Sequence, residues 1–212
     1  MRILSYLLLL ITITVNSQQV AILKYNGGGD WYANPTAIPN LIAFTNTNCK
    51  TNISKTPQTV TASDENIFNY PILFMTGHGN VYFSDEETEN LQSYLTSGGF
   101  LHISDNYGMD KYIRRELKKL FPKLKLQEIP INHPIYNQTF TFKNGIPKIH
   151  EHDKKPAQGF GLFYQGRLIV FYDYETDISD GWEDAAVHNN PKNVRETALK
   201  MGSNIIEYAF KH

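Results

Sequence analysis

Apolar and polar positions fall in long blocks along this chain, and the clearest block runs from Tyr70 to Tyr107. Two apolar runs, Pro71–Met75 and Phe100–Ile103, are bounded by glycine and polar residues, as strands covered on both faces should be. Between them Ser84 and Glu87 have the spacing of a capping box. Leu91, Tyr94 and Leu95 then recur at helical spacing until Ser97-Gly98-Gly99, which predicts a helix with both ends marked. A strand–helix–strand unit of this length predicts a right-handed crossover in a parallel sheet. Ligands of such sheets gather beyond the carboxyl ends of the strands, which here carry Gly77-His78-Gly79-Asn80 and Ser104-Asp105-Asn106-Tyr107.

The rest of the chain extends that unit. Val20–Tyr25 predicts a buried strand that runs into Asn26-Gly27-Gly28-Gly29-Asp30-Trp31. Three glycines permit positive φ angles and close backbone approach. Their spacing is neither a dinucleotide fingerprint nor a P-loop, and a tight turn and a ligand-cradling loop fit it equally well. Pro35–Phe44 predicts a short helix, Thr56–Ala62 an edge strand, Asp64–Phe68 a helical turn, and Gly108–Phe121 an amphipathic helix. Leu124–Ile129 predicts another strand, and Gly159–Tyr174 a β-hairpin turning at Gln165-Gly166. Thr176–His188 reads as a long polar loop around Trp182, and Asn190-Pro191 opens a final helix. No repeat or low-complexity linker interrupts these elements. Residues 18–212 are therefore expected to form one α/β domain: a mainly parallel sheet with helices on both faces and a C-terminal β-hairpin.

Composition narrows the partners. A formal net charge of -1 over 212 residues argues against an electrostatic nucleic-acid binder, and the basic cluster Lys111–Lys125 reads as the solvated face of a helix. The 13 Tyr and 12 Phe suit sheet packing, with a carbohydrate-stacking surface as the sharper alternative. Met1-Arg2, the apolar run Ile3–Val15 and Val15-Asn16-Ser17 predict a cleavable signal peptide over residues 1–17. The mature protein is then expected to be secreted or periplasmic, with no membrane span after cleavage. Cys49 is the only cysteine, so no internal disulfide is possible, and its polar surroundings mark it as a bystander thiol.

Candidate chemistry concentrates in the predicted loops. Asp105 and His78, at the ends of adjacent strands about 5 Å apart, are candidates for an acid/base pair. Gly28, Gly29, Asp30, Trp31, Asn80, Asn106, Tyr107, Trp182 and Glu183 are candidate ligand-binding residues, with Trp31, Tyr107 and Trp182 as stacking surfaces. His133, Glu151, Asp180 and His188 are expected at the same rim, and His102, inside a strand, reads as a core histidine. In extended chain His150 and His152 would share a face, and with Asp153 they can hold a zinc- or iron-like divalent ion. A hydrogen-bonded network is the alternative. Neither H-E-x-x-H nor G-x-S-x-G is present.

Long, unusual words carry a resemblance: NGGGDWYANPTAIPNL (26–41), LFMTGHGN (73–80), GGFLHISDNYGMDKYIRREL (98–117), PKIHEHD (147–153) and GFGLFYQGRLIVFYDYETDISDGWED (159–184). They resemble the domain-of-unknown-function family numbered 4159 over essentially the whole mature chain. The resemblance implies a branch of the class I glutamine amidotransferase-like fold related to trehalose-utilisation-type domains. That means a flavodoxin-like sheet, an extracytoplasmic location and no established reaction. Where amidotransferases carry a catalytic Cys after a strand, this chain has Ser104-Asp105, and His150-Glu151-His152 is a loose counterpart of their His-x-Glu pair. Glutaminase chemistry by a thiolate is not expected. The leading expectation is a pocket at the carboxyl edge that binds a small polar ligand, sugars included. The alternatives are a hydrolase using Asp105 and His78, with or without a metal, and a non-catalytic module that binds an envelope protein.

Overall fold

A computed structural model describes residues 19–212. The expected signal peptide, residues 1–17, lies outside the described residues. The strands β1 (Val20–Lys24), β2 (Gln58–Thr61), β3 (Ile72–Gly77), β4 (Phe100–Asp105), β5 (Gln127–Glu128), β6 (Gln158–Tyr164) and β7 (Arg167–Tyr174) form one sheet in the order β2-β1-β3-β4-β7-β6-β5. The first five in that order run parallel, and β6 and β5 extend the sheet antiparallel. The strand expected over Leu124–Ile129 is only the two-residue β5, because Leu124 and Leu126 turn inward to pack on the core instead of continuing the ladder.

Helices cover both faces. On one side α2 (Asp85–Thr96) and α3 (Asp110–Leu120) pack Leu91, Tyr94, Leu95, Ile113, Leu117 and Leu120 against Leu73, Met75, Leu101 and Ile103. On the other, α1 (Ala37–Asn48) and α5 (Lys192–Lys211) pack Ile38, Leu41, Met201 and Ile205 against Ile72, Phe74, Phe100 and Phe171. Alternate side chains of β3, β4 and β7 thus feed two separate cores, as strand geometry requires. The same parity sends Asp105 towards the α2–α3 face and His102 and Ser104 towards the α1–α5 face.

The capping box forms: the Ser84 hydroxyl accepts from the Glu87 backbone N–H at 3.1 Å, and Glu87 accepts from the Ser84 N–H at 2.7 Å. Replacing Ser84 with alanine is expected to lower stability by about 1 kcal/mol. Chemical denaturation reads this directly, and an unchanged midpoint would show that the cap contributes nothing.

The segment expected as a long polar loop is the main departure. Glu175–Glu183 is buried throughout, with a 3₁₀ turn over Ile178–Trp182 and only the four-residue helix α4 (Ala185–His188) exposed beyond it. The polar residues of this segment go inside because they satisfy one another and partners on α1. Thr36 N–H donates to Glu183 at 2.8 Å, and Asn40 donates to the Trp182 carbonyl at 2.9 Å.

Candidate functional site

The carboxyl ends of β1, β3, β4 and β7 share one rim, and the loops that follow them converge there. After β1, Asp30 meets His78: its carboxylate lies 2.9 Å from His78 Nδ1 and also accepts the His78 backbone N–H. Partial burial pushes the Asp30 carboxyl upward, but these bonds to His78 outweigh it and hold the carboxyl below its ordinary range. The glycines before Asp30 serve the chain itself. A Cβ at Gly29 would lie 2.6 Å from the His78 carbonyl, and one at Gly27 2.9 Å from the Asn80 carbonyl. The close approach they permit is therefore to the neighbouring loop; only Gly28 faces open space. Asn80 is committed as well, donating to the Gly27 carbonyl at 3.0 Å and accepting from Arg115 at 3.1 Å. Trp31 is half-buried, with the Lys24 ammonium 5.5 Å from its ring centre.

His78 and Asp105 do not pair. Asp105 instead accepts from the Met109 backbone N–H and the Tyr172 hydroxyl, both at 3.1 Å. It forms part of a rim pocket of about 350 Å³, where Asp110, Asp153 and Glu175 add three more acids to a lining completed by Tyr107, Gly108, Lys111 and Tyr174. Desolvation raises the Asp105 carboxyl to about 6, and the nearby Asp110 and Asp173 charges add to the rise. Hydrogen-bond arithmetic points the same way. Tyr172 has one hydroxyl proton but faces both Asp105 at 3.1 Å and Asp110 at 2.9 Å; a proton on Asp105 satisfies all three groups.

Tyr107 guards the pocket mouth. Its backbone sits at φ 77, a strained value for a bulky residue. The ring stacks on His152 at 4.5 Å and the hydroxyl donates to Asp153 at 3.0 Å. Lys155 closes the ring of contacts, 3.1 Å from both Asp153 and the Tyr174 hydroxyl. Asn106, the next residue back, is buried and accepts from Ser179 at 3.0 Å, so it braces the rim from beneath.

His150, His152 and Asp153 do not form one ligand set. The segment is irregular, not extended, and its three side chains take different partners: His152 binds Asp177, His150 lies 3.0 Å from Asp180 and 3.7 Å from the same Asp177 oxygen, and Asp153 belongs to Tyr107 and Lys155. Asp177, missed in the sequence because it sits in an apparently polar loop, is buried and desolvated, which raises its carboxyl against the pull of His152. The group that does cluster is His150, Asp180 and His188, with potential ligand atoms all within 4.8 Å of one another.

Three further expectations are corrected. Trp182 is fully buried: its ring lies 5.7 Å from Phe74 and from His102, its indole N–H donates to the Ala198 carbonyl at 2.8 Å, and it presents no surface to a ligand. Glu183 is buried as the acceptor that holds the start of α1. His133 lies at the opposite, amino edge, among Phe163 and Tyr208.

Beneath the rim runs a buried network invisible to motif reading. Asp173 accepts from His102 at 2.7 Å and from Ser104 at 3.1 Å, and Ser104 reaches Ser179 at 3.1 Å. Serine and histidine contact the same carboxylate, not each other, so this is no nucleophile–base relay. The parity of His102 and Ser104 along β4 was its one available signal. A larger depression of about 580 Å³ opens at the amino edge, around Thr96, Phe121, Pro122 and Tyr164. It holds no carboxylate or imidazole, so the smaller rim pocket is where chemistry is concentrated.

These features define an α/β protein with an acidic pocket on the carboxyl rim of a mainly parallel sheet. Residues 19–210 match the family described as Domain of unknown function (DUF4159), and the chain belongs to that family. No match was found among curated proteins. Among the described residues no helix is long and apolar enough to cross a membrane.

Proposed function

We propose that this protein binds a small polar ligand rich in hydroxyl or amine donors in the pocket of Asp105, Tyr107, Asp153 and Tyr174. The observation that carries the reading is the lining itself: four acidic residues against one lysine, with two tyrosines, in about 350 Å³. Carboxylates accept hydrogen bonds from such a ligand and the rings cover its apolar faces. The strand order β2-β1-β3-β4-β7 supports the flavodoxin-like, class I glutamine amidotransferase-like placement. β4 ends in Ser104-Asp105, and the lone Cys49 caps the far end of α1, which supports a pocket without thiol chemistry. The Met1–Ser17 pattern supports work outside the cytoplasm, tested by the mass of the exported protein.

The raised Asp105 carboxyl favours a second reading, a hydrolase in which Asp105 exchanges a proton with the substrate near neutral pH. In that reading the Tyr172 hydroxyl, shared between Asp105 and Asp110, stands in the place expected of His78 as the acid/base partner.

A thermal-shift screen of monosaccharides, polyols and polyamines, followed by calorimetry on any hit, tests the binding reading. Asp105→Asn and Tyr107→Ala are each expected to weaken a hit by about 10-fold or more, as for a lost charge-assisted bond or ring contact. A hit whose affinity survives both substitutions binds elsewhere and removes the rim pocket from consideration.

A further inference from the structure

We propose that His150, Asp180 and His188 form a binding site for one first-row divalent cation of the zinc type, with His150 Nδ1, Asp180 Oδ2 and His188 Nε2 as donors. The site is separate from the rim pocket and does not depend on what that pocket binds. Three different elements supply it. His150 follows a segment pinned by the Ile149 N–H to the Thr176 carbonyl at 2.9 Å, Asp180 sits in the 3₁₀ turn Ile178–Trp182, and His188 ends α4.

The donor atoms are spaced for a shared ion. Asp180 Oδ2 lies 3.0 Å from His150 Nδ1 and 3.8 Å from His188 Nε2. Donors each about 2 Å from one tetrahedral ion stand about 3–3.5 Å apart, so small side-chain adjustments suffice.

Unmet hydrogen bonding singles out the same place. Among the described residues, two buried side-chain nitrogens lack a hydrogen-bond partner, His188 Nε2 and Asn190 Nδ2, and both belong to this cluster. His188 Nε2, 3.8 Å from the Asp180 carboxylate, is too far for a hydrogen bond and close enough for the two atoms to share one cation.

The supporting groups fit too. His150 Nε2 lies 2.9 Å from Asn190 Oδ1, an acceptor, which assigns the ring proton to Nε2 and turns the Nδ1 lone pair towards Asp180. Two acceptors would then face each other at 3.0 Å unless a cation or a second ring proton lies between them. Asn34 holds the other Asp180 oxygen at 2.7 Å, leaving Oδ2 for the ion. Such outer contacts fix ligand orientation in metal sites.

Two imidazole nitrogens and one carboxylate select a zinc-type ion over calcium or magnesium, which take oxygen ligands. Three protein donors also leave a coordination position open. The side chains of His150 and His188 are 25% and 28% exposed, so an ion can enter from solvent.

The test uses the untagged chain stripped with a chelator and titrated with Zn²⁺ by calorimetry, then with Co²⁺ by visible absorption. One equivalent should bind, and Co²⁺ should develop ligand-field bands. His188→Gln and Asp180→Asn should each weaken binding at least 10-fold. Asn34→Ala should weaken it about 10-fold as an outer contact, and His133→Gln, at the opposite edge, should leave it unchanged. Long-range ¹H–¹⁵N spectra of the wild-type chain keep the test decisive if a variant fails to fold: Zn²⁺ should shift His150 Nδ1 and His188 Nε2. Absence of binding, undiminished binding in His188→Gln, shifts confined to His152 or His78, or a His150 ring carrying two protons and unresponsive to Zn²⁺ would each overturn the site.

Discussion

Trp182→Ala should destabilise the protein by about 3–5 kcal/mol, the range for emptying a large aromatic site in a core. Trp182 has no exposed surface and is among the largest fully buried side chains. Its neighbours cannot easily fill the gap. Phe74 and His102 are strand residues locked by the sheet, and α5 approaches so closely that a Cβ at Gly202 would lie 2.7 Å from the indole. The substitution also leaves the Ala198 carbonyl without its indole donor. Urea denaturation followed by far-ultraviolet circular dichroism measures the effect. A loss below about 1 kcal/mol would mean that the side chain reaches solvent and would restore it as a stacking surface.

Asp105→Asn should have the opposite sign. The folded carboxyl titrates at about 6 against an ordinary value of 3.8, so between these values the folded state holds a proton that the unfolded state has lost. Stability therefore falls as pH rises through that window, and the whole cost, about 3 kcal/mol for a shift of about two units, is present above it. Asparagine is neutral at every pH, keeps an acceptor for the Met109 N–H, and can donate to the Tyr172 oxygen. The variant should be more stable than the parent at pH 8 by up to about 3 kcal/mol, with the difference vanishing near pH 4. It should also lose the pocket's ligand response. A stabilising substitution that removes function marks a group kept for its chemistry. If Asp105→Asn is instead less stable at pH 8, the carboxylate is a structural acceptor and the acid/base reading fails.

The elements that were legible in the sequence are those with local causes. The β3–α2–β4 unit follows from two apolar runs, the Ser84–Glu87 cap and the glycines after Thr96. His102 follows from its place inside a strand. The rim position of His78, Asp105 and Tyr107 follows from where β3 and β4 end. Partnerships on that rim were not legible. His78 binds Asp30 from 48 residues away, and Asp105 answers to Tyr172 from 67 residues away. Those choices depend on which loops fold over which strand ends.

The segment Glu175–Glu183 shows the limit most plainly. Its string of acids and hydroxyls gives every local sign of a solvated loop, yet α1 and α5 close over it and Asn34, Thr36 and Asn40 satisfy its polar groups. Burial of polar residues is decided by partners distant in the chain, which no local pattern encodes. Periodicity and capping by themselves therefore determined the central strands, the long helices and the edge of the sheet where ligands belong. Only tertiary packing decided that Trp182 is core, that His152 goes to Asp177, and that His188 joins His150 and Asp180. Hydrophobic order along a chain is a local quantity, whereas the pairing of buried charges is settled by whichever neighbour the fold brings within about 3 Å.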